Sequence, residues 1–249
     1  MVKESELIRR MRDLNERSER SASVTHSTFL TPAEQYEAEQ WIKPQNINAV
    51  FIGGSSDSER KIAVFYPVYM DKADIQDSDF LSAVKITAGF GTPGHRDYLG
   101  SILGLGIKRE WIGDIIIVDN IAYVICLPPS NLTILSDLTH VSRYGVRCES
   151  VSVQEVPMPK MNVKHISFTV QSRRLDAVIG CVFGISRSRA AKLISSGAVT
   201  LNYQECMKND AYVDDGDVIS ARGFGKAILI GQTGQSRKGR IFLSADRYI

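Results

Sequence analysis

The stretch that most constrains the fold lies between residues 172 and 226, where two helical patterns precede two strand patterns. Gly184 ends the first helical pattern as a C-cap glycine would, and Ser186 is placed to cap the second. Strands are expected near residues 198–202 and 218–222, with an Asp-rich turn before the second. The apolar positions recur with the spacing of one helix face in each helix: Leu175, Val178, Ile179 and Val182, then Ala190, Leu193, Ile194 and Gly197.

The polar side of this helix pair carries basic residues. From Lys160 onward the chain has 14 Lys and Arg against 7 Asp and Glu, whereas the preceding residues have 16 against 21. Such asymmetry is expected when one domain meets a polyanion, although many domains differ by several charges by chance. We expect five of the basic side chains to point outward: Arg173, Arg174, Arg187, Arg189 and Lys192.

The run resembles the alpha-L RNA-binding module, which occurs in a small-subunit ribosomal protein, many pseudouridine synthases and bacterial tyrosyl-tRNA synthetases. Tyr203 departs from the module, which usually has a glycine after the asparagine, so the turn geometry there is open. The matching residues are Arg174-Leu175-Asp176, residues 186–190, Lys192-Leu193-Ile194, Gly197-Ala198-Val199, Asn202 and residues 215–219.

With this resemblance, the basic and polar residues of the C-terminal part become the predicted RNA-binding site. Asp176 belongs to an Arg-Leu-Asp string that also holds the catalytic aspartate of pseudouridine synthases, but here the string begins a helix. We therefore predict a helix N-terminal carboxylate that pairs with arginine. The predicted RNA-binding residues are Arg173, Arg174, Arg187, Ser188, Arg189, Lys192, Asn202, Lys208, Arg222, Lys226, Arg237 and Lys238.

A short string, Arg222-Gly223-Phe224-Gly225, matches the first half of the RNP consensus of RNA-recognition motifs. Lys226 and Leu229 fail the later aromatic positions, so we predict a tight bend that lets the backbone approach RNA. Beyond it we expect a strand, a flexible basic loop at 233–240 and a closing strand. The loop suits phosphate contact; a merely solubilising loop is an equally open alternative.

Length, composition and cysteine usage bound the rest. A chain of 249 residues is long enough for two or three domains. It has no run of 18 apolar residues and no signal-peptide pattern. Its four cysteines form no CxxC pair and its four histidines lack metal-ligand spacing, so we expect a cytoplasmic protein with reduced thiols and with no metal or cofactor.

The N-terminal part reads as a small α/β domain. Residues 3–20 form one amphipathic helix, whose arginines we interpret as a solvated face, with an RNA arm as the minor alternative. Thr31 and Glu34 predict a capped helix that runs to about Trp41. Strands are expected at 48–52 and 61–69, around a glycine turn.

The middle part has the order βαββαβ of a ferredoxin-like domain, the architecture of RNA-recognition domains. Asp119-Asn120 is a two-residue hairpin signal. The aromatic signature on which RNA-recognition motifs stack bases is absent between residues 80 and 156. The predicted elements are strands at 81–88, 114–118, 121–126 and 147–156, and helices at 94–103 and 130–143.

His95-Arg96-Asp97 looks like the catalytic triplet of protein kinases, but Ile102 stands where a kinase needs asparagine. Helix capping by local polar groups is the simpler interpretation. We keep His95, Arg96 and Asp97 as secondary candidates for contact with RNA or protein.

We therefore predict an α+β, multi-domain fold. It comprises a small α/β N-terminal domain (1–75), a ferredoxin-like, RRM-like middle domain (76–158) and a C-terminal alpha-L RNA-binding domain (159–249). We find no convincing pair of nucleophile and base in the sequence, so we predict a protein that is not an enzyme.

Nearly end to end, the chain resembles the YlmH family, whose members are often encoded beside cell-division genes. Besides the alpha-L match, the resemblance rests on Phe29-Leu30-Thr31-Pro32, Phe51-Ile52-Gly53-Gly54, Glu59-Arg60-Lys61, residues 94–100, residues 103–110 and Ile112-Gly113-Asp114.

This resemblance implies a role in ribosome-associated quality control, with binding to large ribosomal subunits that still hold peptidyl-tRNA. The implied partners are rRNA, tRNA and the large subunit, with no membrane and no DNA, and we expect a monomer. Two alternatives stay open. One is an RNA-modifying enzyme with an unrecognised site in residues 1–156, and the other is a scaffold linked to cell division.

Overall fold

The computed structural model describes residues 5–157, 162–237 and 239–248. The chain forms two compact units, which we call unit 1 (Met1–Pro159) and unit 2 (Lys160–Ile249). Both combine helices with antiparallel sheets, so the fold is α+β, as the sequence predicts. None of the helices in the described ranges is long and apolar enough to cross a membrane.

Unit 1 contains four helices and eight strands among its described residues. In chain order they are α1 (Glu6–Ser21), β1 (Thr25–His26), α2 (Pro32–Ile42), β2 (Ala49–Ile52), β3 (Ile62–Phe65), β4 (Ser82–Ala88), α3 (His95–Gly104), β5 (Ile112–Val118), β6 (Ile121–Cys126), α4 (Ser130–Asp137), β7 (His140–Val141) and β8 (Tyr144–Val151).

The first half of unit 1 is a three-stranded sheet, β1-β3-β2, whose core is closed by α1 and α2. The predicted capping box is confirmed: Thr31 Oγ1 accepts from the Glu34 N–H at 3.3 Å, and the Glu34 carboxylate accepts from the Thr31 N–H at 2.7 Å. β3 ends at Phe65, short of the predicted Tyr69. Pro67 has no N–H with which to continue a ladder.

The second half of unit 1 is a sheet in the order β5-β6-β4-β8-β7. Its βαββαβ strands stand in the order 2-3-1-4, which confirms the ferredoxin-like prediction. The hairpin turn is also confirmed, since Asp119 and Asn120 have φ of 48° and 66°. The predicted helix to Arg143 is wrong beyond Asp137. There the β-branched pair around His140 forms a hairpin through Ser142, whose φ is 54°.

The two halves of unit 1 share a hydrophobic core. On one face of the ferredoxin-like sheet, Val84 and Ile86 pack with the buried side chains of α3 and α4. On the other face, Ala83 and Ile125 pack in one cluster with Phe29 from the N-terminal half. The N-terminal segment therefore covers part of the sheet face that lies opposite the helices. The division into domains at residue 75 stays a prediction.

Polar contacts reinforce this packing through residues that we call the clasp: Phe29, Arg60, Arg109, Gly113 and Asp114. Arg60 donates to the carbonyls of Phe29 at 3.0 Å and of Ile112 at 3.2 Å. Asp114 accepts from the backbone N–H of Arg60 at 3.1 Å, and from the preceding residue at 2.7 Å. A Cβ on Gly113 would lie 2.7 Å from the Phe29 ring. Two sequence motifs of the family resemblance thus meet in one contact.

Unit 2 is a six-stranded antiparallel sheet, β11-β10-β12-β13-β14-β9, with two helices packed on it. The predicted caps are confirmed: Gly184 ends the first helix with φ of 67°, and Ser186 Oγ accepts from the Arg189 N–H at 3.3 Å. The elements are β9 (Val163–Val170), α5 (Leu175–Phe183), α6 (Arg187–Ser195), β10 (Val199–Leu201), β11 (Gln204–Glu205), β12 (Val218–Ala221), β13 (Gly225–Gln235) and β14 (Ile241–Tyr248).

Two features of unit 2 differ from the sequence prediction. β9 was not predicted, although Ile166, Phe168 and Val170 alternate as they would in a half-buried strand. β13 continues through Gln235, so the basic loop predicted at 233–240 is a short hairpin turn, which is closed by a 2.8 Å hydrogen bond from the Ser236 N–H to the Arg240 carbonyl.

Candidate nucleic-acid interface

Asp176 organises the start of the helix pair. It is only 5% exposed, and its carboxylate accepts from both Arg174 and Arg187. Each guanidinium donates through Nε and Nη2, at distances between 3.1 and 3.3 Å. The predicted pairing of this helix N-terminal carboxylate with arginine is confirmed.

The ion pairs decide the charge state of Asp176. Burial alone would raise the pKa of this carboxyl, but the hydrogen bonds and charges of Arg174 and Arg187 outweigh it. The net result is a pKa below the usual range, so Asp176 is ionised at neutral pH. The same pairing fixes two cationic side chains that remain 40% and 61% exposed, which leaves their outer edges accessible.

Arg173 does not point outward as predicted. Its side chain is 9% exposed and donates to Asp215 at 2.5 Å, beside the ring of Tyr212. The backbone of this segment is also held against the fold, because the Arg173 carbonyl accepts from the N–H of Val213 at 2.9 Å. We leave Arg173 out of the candidate surface.

A group of four cations, two exposed and two half-buried, lies where the β12–β13 hairpin meets the helix pair. The guanidinium of Arg189 lies 5.1 Å from the centroid of the Phe224 ring. Arg247 lies 5.2 Å from the Phe183 centroid and donates to the Phe224 carbonyl at 3.1 Å. We call this surface the hairpin face, and its residues are Phe183, Arg189, Arg222, Phe224, Lys226 and Arg247.

Aromatic rings hold the cations of the hairpin face in place. A guanidinium over a ring keeps its charge and its outward N–H groups, because the ring offers no acceptor that would use them up. The Lys226 ammonium lies 4.7 Å from the Tyr248 centroid. The predicted tight bend is confirmed, since Gly223 and Gly225 have φ of 83° and 102°, and Arg222 stands exposed at its start.

A second group of cations lines a cleft of about 360 Å³ between the end of β9 and α5. Arg187 and Arg240 lie on this cleft together with Gln171 and Cys181. Arg237 is exposed in the adjoining hairpin turn, at the opposite end of β13 from Lys226. Eleven strand residues separate the two ends by about 30 Å. Five of the predicted site residues therefore fall into two groups, Arg189, Arg222 and Lys226 in one and Arg187 and Arg237 in the other, and Lys238 lies outside the described residues.

Four further predicted residues have different surroundings. Ser188 and Lys192 are exposed on α6, and Lys208 is exposed in the turn that leads toward the start of α5. Asn202 faces the fold instead: its side chain donates to Asp217 at 2.8 Å and accepts from the Val218 N–H at 2.9 Å. Asn202 therefore shapes a turn, and we do not include it in the candidate surface.

The turn after Asn202 has a left-handed backbone at Tyr203, the residue that departs from the alpha-L pattern. Tyr203 has φ of 66°, the left-handed conformation in which the related modules usually have glycine. The surrounding ladder holds it there, because residues 201 and 204 pair across the turn.

In unit 1, the secondary candidates are all at the start of α3. His95, Arg96 and Asp97 are exposed, and Asp97 accepts from the Gly94 N–H at 2.8 Å. Asp97 thus caps the helix, in agreement with the simpler interpretation.

Within residues 5–157, 162–237 and 239–248, no group of three His, Cys, Asp or Glu side chains could hold a metal ion. Burial raises the pKa of the Cys126 thiol to about 12 and also raises that of Cys181. Neither thiol is therefore an activated nucleophile.

Three comparisons place this architecture among known proteins. A family model described as "Putative RNA-binding domain in YlmH" matches residues 76–155. "Ribosome-associated protein quality control protein P2" of Bacillus subtilis (strain 168) is 29% identical over 222 residues, which cover 88% of this chain and 85% of that protein. A solved structure, "Cell division protein ylmH from Streptococcus pneumoniae", covers 60% of this chain and 92% of its own at 20% identity, with a TM-score of 0.53.

The ferredoxin-like unit, the basic helix-pair unit and these matches together define the class, an α+β protein with an RNA-binding role. More particularly, the chain is similar to proteins of the YlmH family: residues 76–155 match the RNA-binding domain of that family, and most of the chain aligns with the Bacillus subtilis relative. The names of these similar proteins describe RNA binding, quality control and cell division rather than an enzyme activity.

Sequence reasoning missed three residues of the basic surfaces: Phe183, Arg240 and Arg247. Phe183 was outside the predicted apolar stripe, and Arg247 follows the predicted closing strand. Arg247 reaches the hairpin face only because β14 runs to Tyr248 and pairs it with Ala227. A signal existed in the strand alternation of residues 241–248, which extends past Ser244.

Proposed function

We propose that this chain is a non-catalytic RNA-binding protein that holds structured RNA of the large ribosomal subunit, together with peptidyl-tRNA, in ribosome-associated quality control. The observation that carries this proposal is the hairpin face. There Arg189 and Arg247 lie over aromatic rings, and Arg189 and Arg222 are exposed to solvent. The name of the Bacillus subtilis relative supports a role in quality control, which takes place in the cytoplasm.

The physical basis is electrostatic. Arginine and lysine side chains that bind phosphates release condensed counterions, so affinity falls steeply with salt. Arginine can also fork onto a phosphate or stack on a base, which lysine cannot do. A folded surface of this kind recognises the shape of structured RNA rather than a linear sequence.

The test is to exchange three cations of the hairpin face, Arg189→Ala, Arg222→Ala and Lys226→Ala, in the full chain. Arg187 is left intact because it holds Asp176. Loss of three phosphate contacts should weaken binding to purified large subunits by about 100-fold at low salt. It should also reduce the salt slope of log K by about 2 to 3. Sedimentation with isolated subunits measures both quantities.

The matched control removes the same charge from unit 1 through Arg9→Ala, Arg10→Ala and Arg17→Ala, all exposed on α1. This control should bind subunits like the unaltered chain. Equal loss in both triple variants would reduce the effect to net charge and contradict the assigned surface. Loss in the α1 variant alone would favour an RNA arm at the N-terminus.

The cellular form of the test is sedimentation of the tagged chain from gently lysed cells, with sequencing of RNA in each fraction. Co-migration with large subunits that carry tRNA is the expected result. Absence from ribosomal fractions at both low and moderate salt would contradict the proposal. It would favour the division partner that the name of the pneumococcal structure suggests.

A further inference from the structure

An aromatic pair stands exposed at one end of the ferredoxin-like sheet of unit 1. Phe90 is 69% exposed, and its ring meets that of Tyr144 edge to face, with centroids 5.5 Å apart. The guanidinium of Arg143 lies 5.2 Å from the Tyr144 centroid and donates to the Tyr144 hydroxyl at 3.1 Å. We call Phe90, Arg143 and Tyr144 the sheet-end cluster.

Glycines shape the backbone on which this cluster lies. After β4 ends, the Gly89 N–H donates to the Gly145 carbonyl at 3.1 Å, which brings the two segments together. Gly91 then turns with φ of 78°, and a Cβ there would lie 2.3 Å from the Tyr144 ring. The loop closes on one ring and leaves Phe90 projecting to solvent, because only glycine permits this approach.

The usual RNA-binding surface of such a domain is partly closed in this protein. RNA-recognition motifs stack bases on the sheet face opposite their helices. Here Ala83 and Ile125 of that face pack with Phe29 from the N-terminal segment. A base that contacts unit 1 must therefore stack on another surface, and the exposed ring at the sheet end is one such surface.

The charge around the cluster favours a polyanion as its occupant. Unit 1 is acidic as a whole, yet residues 89–96 and 139–147 contain no Asp or Glu. The same two segments contain Arg96, Arg143 and Arg147, of which Arg147 is bridged to Glu149 at 3.2 Å. The exposed Arg96 and Arg143 of these segments favour a phosphate-bearing partner, which their positive charge attracts.

We propose that the sheet-end cluster is a stacking site for an unpaired RNA base, with Phe90 as the stacking surface and Arg143 as the contact to the neighbouring phosphate. This inference rests on the proposed function, namely that the chain binds RNA, and assigns unit 1 a separate contact with a single-stranded segment. Every base has a flat π face, so the site selects unpaired nucleotides rather than a sequence.

The test uses the full chain and a fluorescein-labelled oligouridine of about ten nucleotides, with binding followed by fluorescence anisotropy. Phe90→Ala should weaken this binding by about 5- to 100-fold, the range that one base–aromatic stack accounts for. Phe90→Trp preserves a stacking surface and should retain the affinity. Because Phe90 is largely exposed, neither change should alter the thermal unfolding of the chain.

The matched control is Tyr69→Ala, an aromatic residue of the same unit with the same 69% exposure. It should leave oligouridine binding unchanged. If Phe90→Ala binds like the unaltered chain, or if Tyr69→Ala weakens binding equally, the stacking site is overturned. No binding of oligouridine by the unaltered chain at low salt overturns it as well, and leaves the cluster to a protein partner.

Failure here is distinguishable from failure of the proposed function. The same variants are measured on isolated large subunits, where the triple change in the hairpin face is decisive. Subunit binding that depends on the hairpin face while oligouridine binding ignores Phe90 would refute only the stacking site. Subunit binding that ignores the hairpin face would refute the proposed function, whatever oligouridine does.

Discussion

The two units use arginine in opposite ways. In the clasp of unit 1, Arg60 and Arg109 are half-buried and donate to backbone carbonyls, and burial lowers the pKa of both guanidinium groups. In unit 2, the exposed Arg189 lies over the Phe224 ring and keeps its charge toward solvent. The acceptors that surround an arginine, rather than the residue type, therefore separate a structural role from a candidate RNA contact.

The largest test of this comparison removes the carboxylate that positions two arginines of unit 2. Asp176→Ala should lower the free energy of unfolding of unit 2 by about 3 kcal/mol, since two guanidinium groups lose a buried partner. Both tryptophans, Trp41 and Trp111, belong to unit 1. Circular dichroism should therefore show an earlier urea transition, while tryptophan fluorescence keeps its midpoint.

The control for this change is Asp210→Ala, an exposed carboxylate of the same unit. Its loss should move neither transition. A fluorescence midpoint that shifts together with circular dichroism in Asp176→Ala would mean that the two units unfold as one, and the comparison between them would lose its thermodynamic meaning.

A smaller effect is expected from the clasp. Gly113→Ala places a methyl group 2.7 Å from the Phe29 ring and 3.2 Å from the Ile125 carbonyl. The overpacking should destabilise unit 1 by about 2 kcal/mol and shift the fluorescence transition. Gly100→Ala is the control, because no atom lies within 4 Å of its added Cβ and alanine favours the helix. Equal destabilisation by both would contradict the clasp.

The smallest expected effect is that the pKa values of two aspartates are shifted in opposite directions. Burial would raise the pKa of Asp176, but the paired arginines outweigh burial, so the pKa is lowered. The stability that Asp176 contributes is therefore present above the unfolded pKa of about 3.9 and is lost as pH falls through the folded pKa. The Asp114 pKa is raised by burial, against its backbone hydrogen bonds. Its ionised form therefore destabilises unit 1 at neutral pH, and acidification through the folded pKa removes that cost.

Carboxyl ¹³C NMR titration of the full chain measures both groups at once. The Asp176 midpoint should fall below the value of a model peptide, and the Asp114 midpoint above it. Midpoints displaced in the same direction would mean that burial dominates in both units, and that the arginine pairing of unit 2 is weaker than its distances indicate.

Local signals predicted much of the fold, because they depend on a few neighbouring residues. The Thr31 capping box, the Asp119-Asn120 hairpin and the Gly184 cap each act within one turn of chain. The helix that ends at Asp137 was overestimated, since pairing of β7 with β8 overrides helix propensity there. The order of strands in the ferredoxin-like sheet followed from the order of elements alone.

The residue types of the candidate site were predictable from the sequence, but the directions of their side chains were less so. Clustered cations in the C-terminal part indicated a basic surface, and unit 2 places Arg189, Arg222 and Lys226 around the β12–β13 hairpin. Arg173 was misjudged, because Asp215, the partner of its buried side chain, lies 42 residues away in sequence. The aromatic residues beneath the arginines were also beyond local reasoning, since they come together only when the strands pair.

The position of β14 within the sheet of unit 2 has a consequence for how the chain acquires its structure. β14 lies between β13 and β9, so β9 stays unpaired until residues about eighty positions later have been synthesised, as the contact between His165 and Asp246, 81 residues apart, illustrates. Long-range pairing of this kind slows folding, because the loop must close before the contacts form. During biosynthesis β9 is an open strand edge at risk of wrong pairing. A polypeptide truncated before residue 241 would lack β14 and would leave β9 unpaired permanently.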